Sequence, residues 1–448
     1  MNKNWIIAIS IITIVLIAVP VGWFLNQENN DETLPDKSIN LLEPPSVFWQ
    51  VDIENFATGL AVADGRVYTI DIFGNVKCYD STTGDDVWKG SVGGYFSGGL
   101  VIYEDRVYGG SGTGVVGCLD KRTGSALWDL RGIPYIKYYK AAPENFTVVD
   151  GRVFVKTNAF SAFNATTGKL LWLIEEYGHI PGQSDDVWGF NGWAFENDLL
   201  IGRSGGPAGR YIHRLNPDDG TIIWSVGGIF ADSPVIYQEQ VIVQNVSKTE
   251  ILSLDESSGE LLWGFDVGAT ICNPTEYNGL LLFGASDDRF YALNLNNGTL
   301  AWKSMVNSQN ITSLVNDDNP LEGLPVIIDQ QNQRMIGVLA VTTQTRIDEN
   351  HDEDQYYGIL CSLDIKTGDV IWSEYFSGKG DISNEYYVFD YASTENHIYL
   401  TAINDLLIFS KKTGNLIESQ HFEHKITYPI VENDKAFVAT DLWLFAYD

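Results

Sequence analysis

The chain is short of positive charge. Its 448 residues carry 28 Lys and Arg against 59 Asp and Glu, a formal net charge of −31. A surface of that sign repels phosphate backbones, which excludes nucleic acid as a partner and favours cations or basic proteins. Cysteine is also scarce. Cys78, Cys118, Cys272 and Cys361 form no CxxC, no CxxCH and no adjacent pair. That pattern excludes a zinc ribbon, a c-type haem site and a disulfide-dense scaffold. Cys78 and Cys118 hold matching places in consecutive repeats, as small core residues do. No G-x-S-x-G, Walker A or HExxH string occurs, and isolated Ser, His and Asp residues do not define a triad.

Long apolar runs are missing too, except one. Residues 5–25, WIIAISIITIVLIAVPVGWFL, contain no charge. They are long enough to cross the hydrocarbon core of a bilayer as a helix. Lys3 lies before the run and the acidic string QENNDE after it, which predicts residues 1–4 in the cytoplasm and the rest outside. A cleaved signal peptide is the alternative, but no A-x-A site follows and the run exceeds a usual h-region. An uncleaved signal anchor over 5–25 is therefore the expectation. Residues 26–46 are polar, acidic and contain Pro, and read as a flexible tether reaching roughly 70 Å when extended.

From residue 47 onward one unit recurs. It reads CYDSTTGDDVW at 78–88 and CLDKRTGSALW at 118–128, then AFNATTGKLLW at 162–172 and RLNPDDGTIIW at 214–224. It returns as SLDESSGELLW at 253–263, ALNLNNGTLAW at 292–302 and SLDIKTGDVIW at 362–372, with a degenerate copy, IFSKKTGNLIE, at 408–418. Tandem units of this size indicate a propeller or a solenoid. Each copy reads as strand, tight turn, strand. An Asp or Asn can cap the turn through its side chain. Gly84, Gly124, Gly168, Gly220, Gly259, Gly298, Gly368 and Gly414 supply the positive φ it needs. Trp88, Trp128, Trp172, Trp224, Trp263, Trp302 and Trp372 end the copies as large rings to bury against the adjacent unit. A second hairpin precedes each copy, for example LAVADGRVYTI at 60–70. Two hairpins per unit predict a four-stranded antiparallel blade, and no unit contains a convincing long helix.

The ends predict closure. LWLFAY near Asp448 matches the third strand of a blade whose fourth is missing, and VFWQVDI at 47–53 matches an isolated fourth strand, with Trp49 in the Trp place. Pairing them would cover both open edges. Counted literally there are nine units. Eight is the usual upper size, and the stretch around Gly414 is the unit to doubt. The expected fold is all-β: one propeller over 47–448 behind one transmembrane helix.

The string x-L-D-x-x-T-G-x-x-x-W resembles the pyrroloquinoline-quinone-type (PQQ-type) repeat over residues 47–448. The resemblance implies the propeller but does not by itself imply the cofactor. That family includes quinoprotein dehydrogenases, which share a vicinal disulfide, a calcium site and an Asp base, and non-catalytic scaffolds such as an outer-membrane assembly lipoprotein. This chain has no CC pair and no haem motif. The expectation is a non-catalytic scaffold without cofactor that binds another protein or a cell-envelope polymer. Two alternatives stand beside it: a PQQ- and calcium-dependent dehydrogenase of unusual type, and a small-molecule sensor. Fold alone does not choose among them.

Turn lengths indicate the working face. First-to-second and third-to-fourth turns are tight, while 131–143, 176–193, 307–323, 344–356 and 377–387 read as loops at the other end, where binding residues tend to lie. Tyr135, Tyr138, Tyr139, His179, Trp188 and Trp193 are the aromatic and imidazole candidates there; channel plugging is the plain alternative. Asp348, Asn350, Asp352 and Asp354 alternate like the start of a calcium loop. Glu353 and Ile359 depart from that pattern where Gly and Glu belong, so a solvated acidic loop is the plainer reading. Five N-x-[ST] sequons, at Asn145, Asn164, Asn245, Asn297 and Asn310, permit glycosylation.

Overall fold

The computed structural model describes residues 46–448 apart from 95–96, 112–115, 131–145, 157–158, 176–187, 197–198, 207–208, 229–233, 246–248, 307–320, 349–350, 381–388, 424–425 and 441. The apolar run at 5–25 lies outside the described residues. Among those described, no helix is long and apolar enough to cross a membrane. Regular structure among them is β-strand throughout.

The described strands form nine antiparallel sheets. Sheets 1 to 8 occupy residues 57–91, 97–129, 146–175, 188–227, 235–266, 275–305, 321–380 and 389–421. In all but sheet 7 consecutive strands are neighbours, as hairpin connections require; in sheet 7 Leu321–Gly323 and Ile327–Asp329 both pair with Arg334–Asp348. Sheet 9 joins residues 430–447 to Val47–Asp52, which pairs antiparallel with Trp443–Tyr447. The two ends of the described chain thus share one sheet. The copy around Gly414, doubtful by sequence, builds sheet 8 on its own strands.

The third-to-fourth turn follows from its residues. In sheet 1, Asp80 Oδ1 accepts the Thr82 amide at 2.9 Å, and Gly84 N donates to Asp80 O at 2.9 Å. The register between third and fourth strands then slips by one residue just before the Trp: Cys78 faces Trp88 while Tyr79 faces Asp86, leaving Val87 as a bulge. The same slip recurs in the other sheets, with Phe48 bulged before Trp49 in sheet 9. A bulge on an outer strand twists the edge and discourages pairing with another chain.

The Trp places are filled by pins between sheets. Each indole lies on the turn glycine of the next sheet: Trp49 on Gly84, Trp88 on Gly124, Trp128 on Gly168, Trp172 on Gly220, Trp224 on Gly259, Trp263 on Gly298, Trp302 on Gly368 and Trp372 on Gly414. Gly168 shows why no other residue serves. Its φ is +66°, and a Cβ there would stand 2.8 Å from Trp128 Cδ2. Seven of these indoles also donate Nε1–H to the carbonyl three residues before that glycine, from Trp49 to Ser81 O at 3.2 Å through Trp302 to Ile365 O at 2.7 Å. The Trp372 Nε1 is buried without an acceptor among the described residues.

Between the sheets lie hydrophobic clusters, all but one shared by two sheets numbered consecutively. Tyr68, Ile70, Cys78, Val107 and Leu119 join sheets 1 and 2, and Ile336, Leu360, Ile398, Leu400 and Phe409 join sheets 7 and 8. Val67 and Tyr79 of sheet 1 also pack on Phe437 and Leu444 of sheet 9, whose Val438 and Tyr447 pack on Tyr399 and Ile408 of sheet 8. The four cysteines are buried free thiols within these clusters, as expected for small core residues. Burial pushes the Cys78 thiol up to about 11 and Cys118 and Cys272 up to about 12, so they are unreactive in the folded chain.

Glu418 replaces Trp at one place for a geometric reason. The next sheet along is sheet 9, whose third and fourth strands come from opposite ends of the described chain and are joined by no turn. There is no turn glycine there for an indole to cover. The pin at Trp372 gives a direct test. Both Trp302→Phe and Trp372→Phe lose ring area, but only the first strips a buried carbonyl of its donor. Urea unfolding of residues 46–448 is expected to show Trp302→Phe less stable than Trp372→Phe by about 1–2 kcal/mol.

Candidate functional site

Antiparallel order sends second-to-third turns and sheet-to-sheet connections out of the same end of the molecule. Of the loops predicted there, 131–143 and the stretches 176–187 of 176–193, 307–320 of 307–323 and 381–387 of 377–387 fall outside the described residues, and Tyr135, Tyr138, Tyr139 and His179 lie in them. Trp188 and Trp193 do not belong to a loop. They sit in Trp188–Glu196, the first strand of sheet 4, opposite Gly205 and Gly202. Residues 188–193 of the predicted loop 176–193 are therefore strand, in keeping with the strand-forming aromatics of WGFNGWAF.

The largest departure from the sequence reading is in sheet 7. The described residues of 344–356 are strand: Arg334–Asp348 and His351–Asp364 pair along their whole length, through Arg346↔Asp352 to Asp348↔His351. The third partner, Val370–Gly380, follows them to Asp354↔Gly380, so Ser377–Gly380 is strand as well. Leu321–Gly323, also predicted as loop, is a short strand on the other edge. Strands of 15, 14 and 11 residues stand where other sheets have mostly four to seven. The result is a three-stranded ribbon rising from the second-to-third end. Val341 and Thr342 stand opposite Tyr357 and Tyr356 across the strands, pairs of β-branched and aromatic residues that favour extension over a loop.

This ribbon carries the calcium candidates. The backbones of Asp348, Asp352 and Asp354 lie in its strands, and Asn350 falls outside the described residues. A twelve-residue calcium loop needs a sharp turn at its sixth position, where Glu353 here continues a strand.

The root of the ribbon is fixed by chemistry with no counterpart in the repeat. Tyr356 is buried against Phe376, Phe389 and Phe409 of sheets 7 and 8. Its hydroxyl donates to Asp405 Oδ2. Asp405, 8% exposed, shares its other oxygen with Nδ1 of His421 at 2.6 Å, and the imidazole is largely exposed. Burial and the neighbouring carboxylate hold the Tyr356 phenol well above its ordinary range, so it serves as donor and Asp405 as acceptor. Tyr391 adds a second tie, its hydroxyl 2.7 Å from Pro325 O and 2.9 Å from Ile336 O. Gly378 leaves the space the Tyr356 hydroxyl needs. Sequence reasoning missed Tyr356, Asp405 and His421 because they come from three strands of two sheets and share no motif.

Two titratable groups elsewhere, one half-buried and one buried, were equally invisible. On the first strand of sheet 8, burial pushes Asp390 up to about 6, against the Tyr391 amide that donates to it at 2.7 Å. His213, fully buried in sheet 4, has Nδ1 2.7 Å from Ser225 Oγ, and burial lowers it to about 4. A depressed imidazole is neutral in the fold and takes a proton more readily when unfolded. Its contribution is present above about pH 6.5 and is lost as pH falls towards 4, up to about 3 kcal/mol. Chemical denaturation across that window is expected to show a flatter pH slope in His213→Asn, which keeps a partner for Ser225 but cannot titrate.

Comparisons with known proteins agree with this architecture. A family profile described as outer membrane protein assembly factor BamB matches residues 35–138 and 208–448, well over half of the chain. The assembly factor of that name from Yersinia pestis is 22% identical over 286 residues, 61% of this chain and 64% of its own length. The match thus spans less than two thirds of that relative. Tetrathionate hydrolase from Acidithiobacillus ferrooxidans is 23% identical over 258 residues, 53% of this chain and 49% of its own. Among solved structures, a quinohemoprotein alcohol dehydrogenase from Pseudomonas putida HK5 aligns with a TM-score of 0.52 at 12% identity, covering 90% of this chain and 76% of that one. That likeness concerns the β-propeller fold alone. On the extent of the profile match, the chain belongs to the PQQ-repeat family described as outer membrane protein assembly factor BamB.

Proposed function

We propose that the protein is a non-catalytic scaffold: a closed ring of nine blades, held outside the membrane by the apolar segment at 5–25, that binds another protein through its second-to-third end. Three homologues carrying the assembly-factor name support the scaffold class. The inter-sheet clusters and the shared sheet 9 support the closed ring.

One observation carries the choice of face. The repeat residues are occupied in holding blades together, whereas the part of the sheet 7 ribbon beyond Tyr356 extends past the strand length of the other sheets. It extends a strand-paired arm, tied down at its root, at the end from which the aromatic connections also leave. Rigid elements presenting non-repeated residues are where a solenoid or propeller places recognition. The acidic composition of the arm, with Asp348, Asp352, Glu353 and Asp354, favours a basic partner surface. The dehydrogenase alternative lacks a vicinal cysteine pair in this sequence.

The test is co-purification of the full chain from detergent-solubilised membranes. Replacing residues 344–354 with a two-residue Asn-Gly turn, which keeps Thr343 opposite Gln355, should leave the melting temperature of the propeller within a few degrees and remove the co-purifying protein. Recovery of the same partner in the same amount by the trimmed chain would count against this face. Dye reduction on addition of PQQ and calcium would overturn the scaffold reading altogether.

A further inference from the structure

The five sequons are not equivalent in the fold. Asn145 and Asn310 lie outside the described residues. Asn245 is 1% exposed, and its Nδ2 donates to Glu250 Oε2 at 3.2 Å, so an oligosaccharide on that nitrogen is incompatible with sheet 5. Asn164 is partly buried, and its Oδ1 accepts from Thr167, which is not the hydroxyl residue of its own sequon. Asn297 differs from all of these. It is exposed at the third-to-fourth turn of sheet 6, and its Oδ1 accepts both the amide (3.1 Å) and the hydroxyl (2.7 Å) of Thr299, the hydroxyl residue of its own sequon.

The turn itself does not require this amide. In sheet 4 the equivalent string is Asp219-Gly220-Thr221, and Asp219 Oδ1 accepts the Thr221 amide at 2.9 Å and hydroxyl at 2.7 Å. A carboxylate makes the same turn. Only the oxygen of Asn297 is used in it, and its Nδ2 makes no hydrogen bond to the described residues. The nitrogen is presented to solvent beside the Thr hydroxyl that sequon-dependent transfer reads. Gly298 is held at φ +68° under the Trp263 indole, which keeps this geometry fixed.

We propose that Asn297 is an N-glycosylation site, modified from a polyprenyl-phosphate-linked oligosaccharide by a membrane oligosaccharyltransferase of the host. The bond formed joins Nδ2 to the anomeric carbon. The bond broken joins that carbon to the phosphate oxygen of the donor, the phosphate departs with the electron pair, and the amide loses one proton. No oxidation or reduction occurs. The modification rests on the extracytoplasmic placement proposed above. It would put the glycan on the tight-turn face, at the opposite end of the strands from the ribbon.

Trypsin isolates the site. Cleavage after Arg289 and Lys303 releases residues 290–303 with Asn297 as their one sequon, and cleavage after Arg214 and Lys248 releases 215–248 with Asn245. Mass spectrometry of the full chain purified from its own host membranes is expected to find most of the 290–303 peptide carrying hexose-type mass increments and the 215–248 peptide unmodified. Asn297→Asp, which keeps the turn as Asp219 does, should melt with the wild type and lose the increment. Protease treatment of right-side-out vesicles locates the propeller independently. A propeller cut by protease whose 290–303 peptide is wholly unmodified overturns the glycosylation and leaves the placement standing. A propeller shielded from protease overturns both, and a glycan on Asn245 overturns the assignment by burial.

Discussion

The fold hangs on one contact, an indole lying on a glycine held at positive φ one sheet further along. Its two halves belong to different repeat units, so no unit is complete alone. A sheet that lost its Trp would leave its neighbour's turn uncovered, and a neighbour that lost its Gly would have no room for the ring. Stability in such an array comes from nearest-neighbour terms summed along the chain. The Asp or Asn cap, the bulge before the Trp and the exposed residue on the bulge all follow from aiming that ring across the interface. For this reason the same eleven-residue string recurs while the residues between copies vary freely.

The exceptions to the contact are informative about the ends of the described chain. Trp49 comes from the first described strand but pins Gly84 from sheet 9, so it belongs energetically to the far end of the chain. Glu418 sits where an indole would find no turn to cover. Trp372 keeps its glycine and loses its acceptor, on the approach to the same region. Burial raises Glu418 above its ordinary carboxylate range, a penalty that a Trp would not incur. The interfaces of sheet 8 therefore combine a weaker pin with a half-buried acid. They are offset by the aromatic packing of Tyr399, Phe409 and Tyr447 and by the Tyr356–Asp405–His421 chain.

Sequence made the repeating part legible because period and spacing are local properties. The glycines and tryptophans, the four strands per unit and the use of VFWQVDI as a missing fourth strand could all be read from residues close together in the chain. The ribbon was misread for the opposite reason. DENHDEDQ has the composition of a solvated loop, and the extended state of its residues 352–355 depends on pairing partners supplied by Thr343–Arg346 and by Lys379 and Gly380. Pairing of that kind overrides intrinsic preference. Tyr356, Asp405, His421, His213 and Asp390 were illegible because burial and juxtaposition are tertiary facts. Asp405 carries no mark that distinguishes it from the many surface carboxylates of an acidic chain.

The same division explains why the family name says more about architecture than about activity. Residues that define the repeat are occupied by packing: each turn glycine lies under a ring, and seven of the eight indoles have a carbonyl to donate to. A residue engaged in that way has no group left for a ligand. Activity must then reside in what is not periodic, and in the described chain the largest non-periodic feature is the ribbon with its buried Tyr–Asp tie. A solvated acidic loop would lose conformational entropy on meeting a partner, at roughly 1–2 kcal/mol per ordered residue. Strands already paired across Arg346↔Asp352 and Asp354↔Gly380 have met most of that cost during folding. Preorganisation of this kind favours recognition over a merely solvated surface.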